Sequence, residues 1–236
     1  MVLPLYLAMT AAEITAAEAL PPHPAWMACH FSSYSTGLSN LPQQLPAGAM
    51  IVINDRIPVW KHDPQLILEQ IQVLTEQLSP DAILLDFQRP KNTQTEQIAQ
   101  TLCSALPCPV GVSEIYAKGL DCPVFLSAAP LHTPLQAQVD AWPSRELWVE
   151  AAFQAQRYTV TSTGCTWEDI LPEDTDFTDE ALCCSYRIRL QESKALFTLV
   201  RQEAGLTRFL NTVAQLGITK AIGLYQQLNS FFPAKA

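Results

Sequence analysis

Short apolar runs recur along the chain, each closed by polar or turn-forming residues, over 5–9, 26–31, 50–54, 82–87, 110–112, 124–127, 147–152 and 221–225. Several, such as MIVIN and AILLDF, are continuous rather than alternating, which is the pattern of strands buried on both faces of a parallel sheet. Proline stands just before most of them (Pro24, Pro46, Pro80, Pro109, Pro123, Pro143). There its missing ladder donor costs nothing. Between the runs lie segments with helical spacing. Residues 64–79 put Leu66, Ile67, Ile71, Leu74 and Leu78 on one stripe. Residues 92–106 repeat the form, and residues 205–217 do so again before stopping at Gly217. Apolar stripes of this period predict helices packed on a sheet, and a terminal glycine suits the left-handed cap that ends one.

Strand alternating with helix is the α/β pattern. Eight candidate strands predict a (β/α)8 TIM barrel, small or irregular for 236 residues. The alternative is an open doubly wound sheet, which would carry a glycine-rich first turn if it held a dinucleotide. One region breaks the rhythm. Residues 157–201 contain an acidic loop (EDTDFTDE), then two runs, 186–190 and 195–201, flanking Gln191-Glu192-Ser193-Lys194. Arg187 and Arg189 alternate with Tyr186, Ile188 and Leu190, as on a half-exposed strand. This predicts a late β-hairpin insertion within a single barrel domain of residues 1–236.

Composition narrows the function. Glycine is scarce, 8 against 18 prolines, so a glycine-rich phosphate cradle is not expected. The net charge of −9 without a basic run excludes the electrostatic footprint of nucleic acid or of an anionic membrane surface. Seven cysteines make no metal ladder, and no second histidine pairs with His30, so neither a metal nor another cofactor is expected. The cysteines read as free thiols of a reducing compartment. The N-terminus lacks a basic segment, is interrupted by Glu13 and Glu18, and reads as a strand followed by a helix. No run reaches the 18 or so apolar residues a membrane span needs. A cytoplasmic protein is the expectation.

In a parallel barrel, chemistry sits at the carboxyl ends of the strands. Those ends carry His30, Asn54-Asp55-Arg56, Asp86-Phe87-Gln88-Arg89, Ser113-Glu114 with Tyr116, Glu150, and Tyr225-Gln226. Asp55, Asp86, Glu114 and Glu150 supply carboxyl groups of the kind glycosidic cleavage needs, where one donates a proton and another stabilises positive charge. They could equally bind a metal, or pair with Arg56 and Arg89 as rim ion pairs. Strand parity at Glu150 and Asp55 is not fixed by sequence. His30 reads as a core histidine, and Trp60 and Trp148 as packing residues.

The segment Asp81–Gln88, DAILLDFQ, resembles the strand-four signature of chitinase-type (family 18) glycoside hydrolases, D-G-x-D-x-D-x-E. Asp81 and Asp86 match the first and last aspartates, Ala82 stands for the glycine, and Phe87 holds the usual aromatic place. It is also the fourth apolar run. The C-terminal layout is similar too: a hairpin insertion, a helix and a last strand ending in an aromatic, here Tyr225 where the family usually has tryptophan. Leu84 replaces the middle aspartate, and Gln88 replaces the glutamate that serves the family as general acid. An amide has no titratable proton to donate. The resemblance implies a barrel that binds or cleaves a carbohydrate, its ligand a small molecule or oligosaccharide. Catalytic candidates are Asp86 and Glu114, with Gln88, Asp55, Arg89, Tyr116, Glu150 and Tyr225 holding substrate. The alternatives are a non-catalytic binding or scaffold barrel, and a metal-dependent barrel enzyme using the four carboxylates.

Overall fold

The computed structural model describes residues 3–59, 61–127 and 131–229; Trp60 lies outside them. The strands in chain order begin with β1 (Leu5–Met9), β2 (Pro24–Phe31), β3 (Leu38–Ser39), β4 (Met50–Asn54), β5 (Ala82–Asp86), β6 (Val110–Ser113), β7 (Val124–Leu126) and β8 (Leu147–Glu150). They continue with β9 (Gln154–Thr161), β10 (Gly164–Asp169), β11 (Phe177–Asp179), β12 (Cys184–Gln191), β13 (Lys194–Arg201) and β14 (Lys220–Leu224). The helices are α1 (Ala11–Ala16), α2 (Pro64–Leu78), α3 (Thr93–Ala105), α4 (Glu114–Ala117), α5 (Leu135–Asp140), α6 (Glu203–Gln215) and α7 (Tyr225–Leu228).

Contacts divide the chain into two compact units. One gathers Pro4–Ser127, Arg145–Glu150 and residues 219–229; the other gathers residues 131–144 and Ala151–Ile218.

The first unit is a closed barrel. β1, β2, β4, β5, β6, β7, β8 and β14 pair in parallel around a ring, which β1 closes by pairing with β14 on one side and β2 on the other. All eight are runs that the sequence marks as strands, with slightly shifted ends. Short β3 adds to β2 in the antiparallel sense. Two long helices cover the ring, each started by its own sequence. Asp63 caps α2 by accepting from the Gln65 N–H, with Pro64 in the first turn, where its missing donor is harmless. Asn92 caps α3 and completes a reciprocal box with Thr95.

The lumen is packed, not hollow. Tyr6, Ala8, Ala25, Met50, Val52, Ala82, Leu84, Phe125, Trp148 and Ile222 form its buried cluster. Each large aliphatic or aromatic side chain among them contributes about 1.5–3 kcal/mol by leaving water. Trp148 fits because Gly111 faces it across the lumen: a Cβ on Gly111 would lie 2.3 Å from the indole ring. The ring is held from two more sides. Its N–H donates to Glu146 Oε1 at 2.9 Å, and the Lys220 ammonium sits 5.2 Å from its centroid.

The second unit is built on a five-stranded antiparallel sheet in the order β10-β9-β13-β12-β11, together with α5 and α6. The hairpin expected from sequence is its β12–β13 pair, closed at Gln191↔Lys194. The sheet is anchored by Arg201, which is 8% exposed. Its guanidinium donates to the carbonyls of Leu182 and Cys183 and to Gln154 Oε1, and lies 4.3 Å from the Phe209 ring centroid. No helix among the described residues is long and apolar enough to cross a membrane.

Candidate functional site

A cavity of about 690 Å³ opens at the carboxyl ends of the barrel strands. That is within the range of small-molecule sites. Its floor is apolar, formed by Ala8, Val52, Leu84, Phe125 and Ile222, and its wall carries His30, Asn54, Asp55, Asp86, Gln88, Arg89 and Glu150.

Side-chain alternation explains this wall. Lumen-facing Met50 and Val52 put Asn54 on the lumen side; Ala82 and Leu84 do the same for Asp86, and Trp148 for Glu150. Parity at Glu150 is thereby fixed inward. Asp55 falls just past the end of β4 and does a different job. It is 2% exposed, and its two carboxylate oxygens accept from the backbone N–H groups of Gln88 at 2.9 Å and Arg89 at 2.8 Å. The Arg89 side chain returns the contact, donating from Nε to the Asp55 carbonyl and from Nη2 to the Arg56 carbonyl, both at 2.8 Å. The segments after β4 and β5 are therefore locked together by backbone hydrogen bonds. The Arg89 guanidinium serves carbonyls here, where sequence allowed a rim ion pair with a carboxylate.

Asp86 stands above Leu84, the position where an acid would be its neighbour in the family motif. Burial on this apolar floor pushes the Asp86 carboxyl above the ordinary aspartate range, and nearby Asp55 adds to the effect. Gln88 opposes it by donating from Nε2 to Asp86 Oδ1 at 2.5 Å. Because its folded-state value is raised, Asp86 contributes stability at low pH. That contribution fades as pH climbs from the unfolded aspartate value, about 3.9, through the raised folded one. Asp86→Asn should lack this slope. Urea midpoints across the acidic range should therefore show wild type losing ground to the variant as pH rises, and parallel curves would refute the assignment.

The opposite side of the site is organised by a bulge. The β2–β4 register shifts between Trp26 and Cys29, and Met27 and Ala28 within the shift line the cavity. Asn54 Nδ2 accommodates the irregularity by donating to the carbonyls of Met27 at 3.2 Å and Cys29 at 3.1 Å. His30 is a wall residue, not the core histidine expected from sequence. Its Nδ1 lies 2.8 Å from the Phe31 carbonyl and its Nε2 lies 3.1 Å from the Asn40 amide nitrogen. Asn40 and Thr10 also line the cavity. Sequence reasoning did not single them out, because neither lies in a run whose period points to the lumen.

Asp55, Asp86, Gln88, Arg89 and Glu150 are thus brought together. Glu114, Tyr116 and Tyr225 are not among the cavity-lining residues. β6 ends at Ser113 and α4 starts at once, which leaves Glu114 exposed on a short helix. Tyr116 is buried behind the wall, where its hydroxyl bonds to Thr95 Oγ1 at 3.0 Å and the Arg89 carbonyl at 3.3 Å. Tyr225 opens α7 beyond the last strand, while Gly223 and Leu224 face the cavity. Among the described residues, no three His, Cys, Asp or Glu side chains are grouped to hold a metal ion.

Neither a protein-family model nor a curated protein matches the sequence. Solved structures do match in fold. An N-acetylglucosaminidase of glycoside hydrolase family 18 from Paenibacillus barengoltzii superposes with a TM-score of 0.55 at 10% identity, covering 94% of each chain. A chitinase from Chromobacterium violaceum gives 0.52 at 9% identity, over 94% of this chain and 93% of that one. The spore cortex-lytic enzyme SleL of Bacillus cereus gives 0.52 at 10% identity, over 94% and 70%. The chain thus shares the barrel fold of these enzymes, the fold that the resemblance of Asp81–Gln88 implied.

Proposed function

We propose that this barrel binds an oligosaccharide containing 2-acetamido sugars at the carboxyl ends of its strands, and does not cleave it by proton donation from the position of Gln88. The observation that carries the reading is the Gln88–Asp86 hydrogen bond inside a cavity of saccharide size. An apolar floor below a wall of amides and carboxylates suits a sugar ring, which presents C–H faces and hydroxyl edges together. The structural neighbours, an N-acetylglucosaminidase, a chitinase and a spore cortex-lytic enzyme, favour amino-sugar polymers over other glycans. Gln88 has no proton to give, and its amide orients Asp86 instead. Asp86, Glu150, Asn54 and Gln88 are the groups assigned to sugar hydroxyls and to the acetamido group.

Titration calorimetry with chitooligosaccharides and peptidoglycan fragments should register binding, while aryl β-N-acetylglucosaminides should release no phenol. Gln88→Glu should then introduce detectable hydrolysis, because two carboxyl groups this close share one proton and hold it at neutral pH. No heat with any saccharide would leave an interaction or scaffold role.

A second reading rests on the raised carboxyl of Asp86, which could itself act as the acid with Glu150 across the same cavity. Hydrolysis by wild type that Asp86→Asn abolishes would establish it in place of the first.

A further inference from the structure

The charged side chains that line the cavity are Asp55, Arg56, Asp86, Arg89 and Glu150. Asp55 is engaged by the Gln88 and Arg89 N–H groups, and Asp86 accepts from the Gln88 amide. The Arg89 guanidinium serves the Asp55 and Arg56 carbonyls. Glu150 ends β8, which faces β4 from the far side of the ring.

Arg56 is different. Its main chain is fixed at both ends: the N–H donates to Asn54 Oδ1 at 3.2 Å, and the carbonyl accepts from Arg89 Nη2 at 2.8 Å. Its side chain is exposed at the cavity mouth, and no carboxylate among the described residues lies within ion-pairing distance of it. The rim ion pair that the sequence allowed for Arg56 is therefore not made. A guanidinium offers donors only, in a planar fork that matches a carboxylate. Carried on a fixed backbone beside a cavity, it favours negative charge on the occupant.

We propose that Arg56 gives the cavity a preference for amino sugars that carry a carboxylate on an ether arm, such as the lactyl group of muramic acid, over neutral ones. This rests on the oligosaccharide reading above and narrows it to a class of saccharide. The sugar ring lies over the apolar floor, where Asn54, Asp86 and Gln88 meet its hydroxyl and acetamido groups. A carboxylate on an ether arm projects from the ring edge and reaches the exposed guanidinium. Deeper in the cavity Asp86 would repel the same group, so the mouth is the place for it. The net charge of −9 opposes any anionic ligand at long range, which leaves the preference to this local contact. Arg56 sets specificity through the substituent and takes no part in proton transfer.

The test is calorimetric titration of the full chain, at low salt, with two forms of one probe. The probe is a tetrasaccharide of alternating N-acetylglucosamine and N-acetylmuramic acid. One form has free lactyl carboxylates, and the other has them as methylamides of nearly the same size. The free acid should bind about tenfold tighter, the scale of a charge-assisted hydrogen bond against a neutral one. Arg56→Gln should bring the two forms to equal affinity, and Arg56→Lys should restore part of the gap. Both variants change an exposed side chain and keep the backbone bonds of residue 56, so they should melt as wild type does. Equal binding of acid and amide by wild type would overturn the inference, and so would a preference that survives Arg56→Gln. Binding of chitotetraose but of neither form would also overturn it, and each of these results leaves the oligosaccharide reading standing. No heat with any of the three saccharides would overturn both.

Discussion

Asp55→Ala should abolish saccharide binding and lower stability together. The lost carboxylate leaves the Gln88 and Arg89 N–H groups without their acceptor. Two charge-assisted, partly buried bonds are worth about 3 kcal/mol in total. For a chain of this size, that is a fall of roughly 6–12 °C in Tm. The binding loss follows from the same geometry: without the clamp, Gln88 no longer has a fixed backbone from which to hold Asp86, and two cavity walls loosen at once. Asp55→Asn supplies one acceptor oxygen in place of two and should recover part of the stability but less of the affinity. Thermal melts and calorimetric titrations of the three proteins check the order. A variant that melts early yet binds normally would show that the clamp supports the fold but not the site.

Gly111→Ala should be the most damaging single-methyl change in the barrel. The new Cβ would sit 2.3 Å from two carbons of the Trp148 ring, which is fully buried and held by its Glu146 bond and the overlying Lys220. Overpacking usually costs about 1–3 kcal/mol, and a ring that cannot step aside belongs at or above the top of that range. Gly111→Ala with Trp148→Leu should be less unstable than the sum of the two single changes, because the leucine vacates the space the methyl needs. Chemical denaturation of the four proteins gives the coupling. Additive losses would mean that the ring relaxes elsewhere.

The contrast between these two positions explains what was legible in the sequence. Barrel strands buried on both faces must be apolar at every position, so MIVIN and AILLDF announce themselves without any need to know which side is which. The long helices carry one apolar stripe and sequence-encoded starts at Asp63 and Asn92, so they too are plain. β10 is exposed along its whole length, and β9 fades from buried to exposed, so the five-stranded sheet shows only its best-patterned hairpin. In the site, Asp86 and Glu150 are legible because each stands near the carboxyl end of an apolar run. Glu114 falls outside the cavity for a local reason: β6 passes directly into α4 between Ser113 and Glu114, and sequence periodicity does not resolve that step. The Gly111–Trp148 fit was invisible, since it joins residues far apart in the chain through shape alone.

Ring closure also sets the order of events as the protein is made. β1 completes the barrel by pairing Leu5 with Ala221, so the barrel strand made before the other seven waits for the one made after them. Until then β1 keeps one edge unpaired and the lumen stays open, with Trp148 lacking the neighbours brought by β14. Contacts this distant in sequence are slow to form, and an open apolar edge is open to wrong partners. The closed ring that removes every barrel edge from the folded barrel thus concentrates its hazard in the interval before β14 is made.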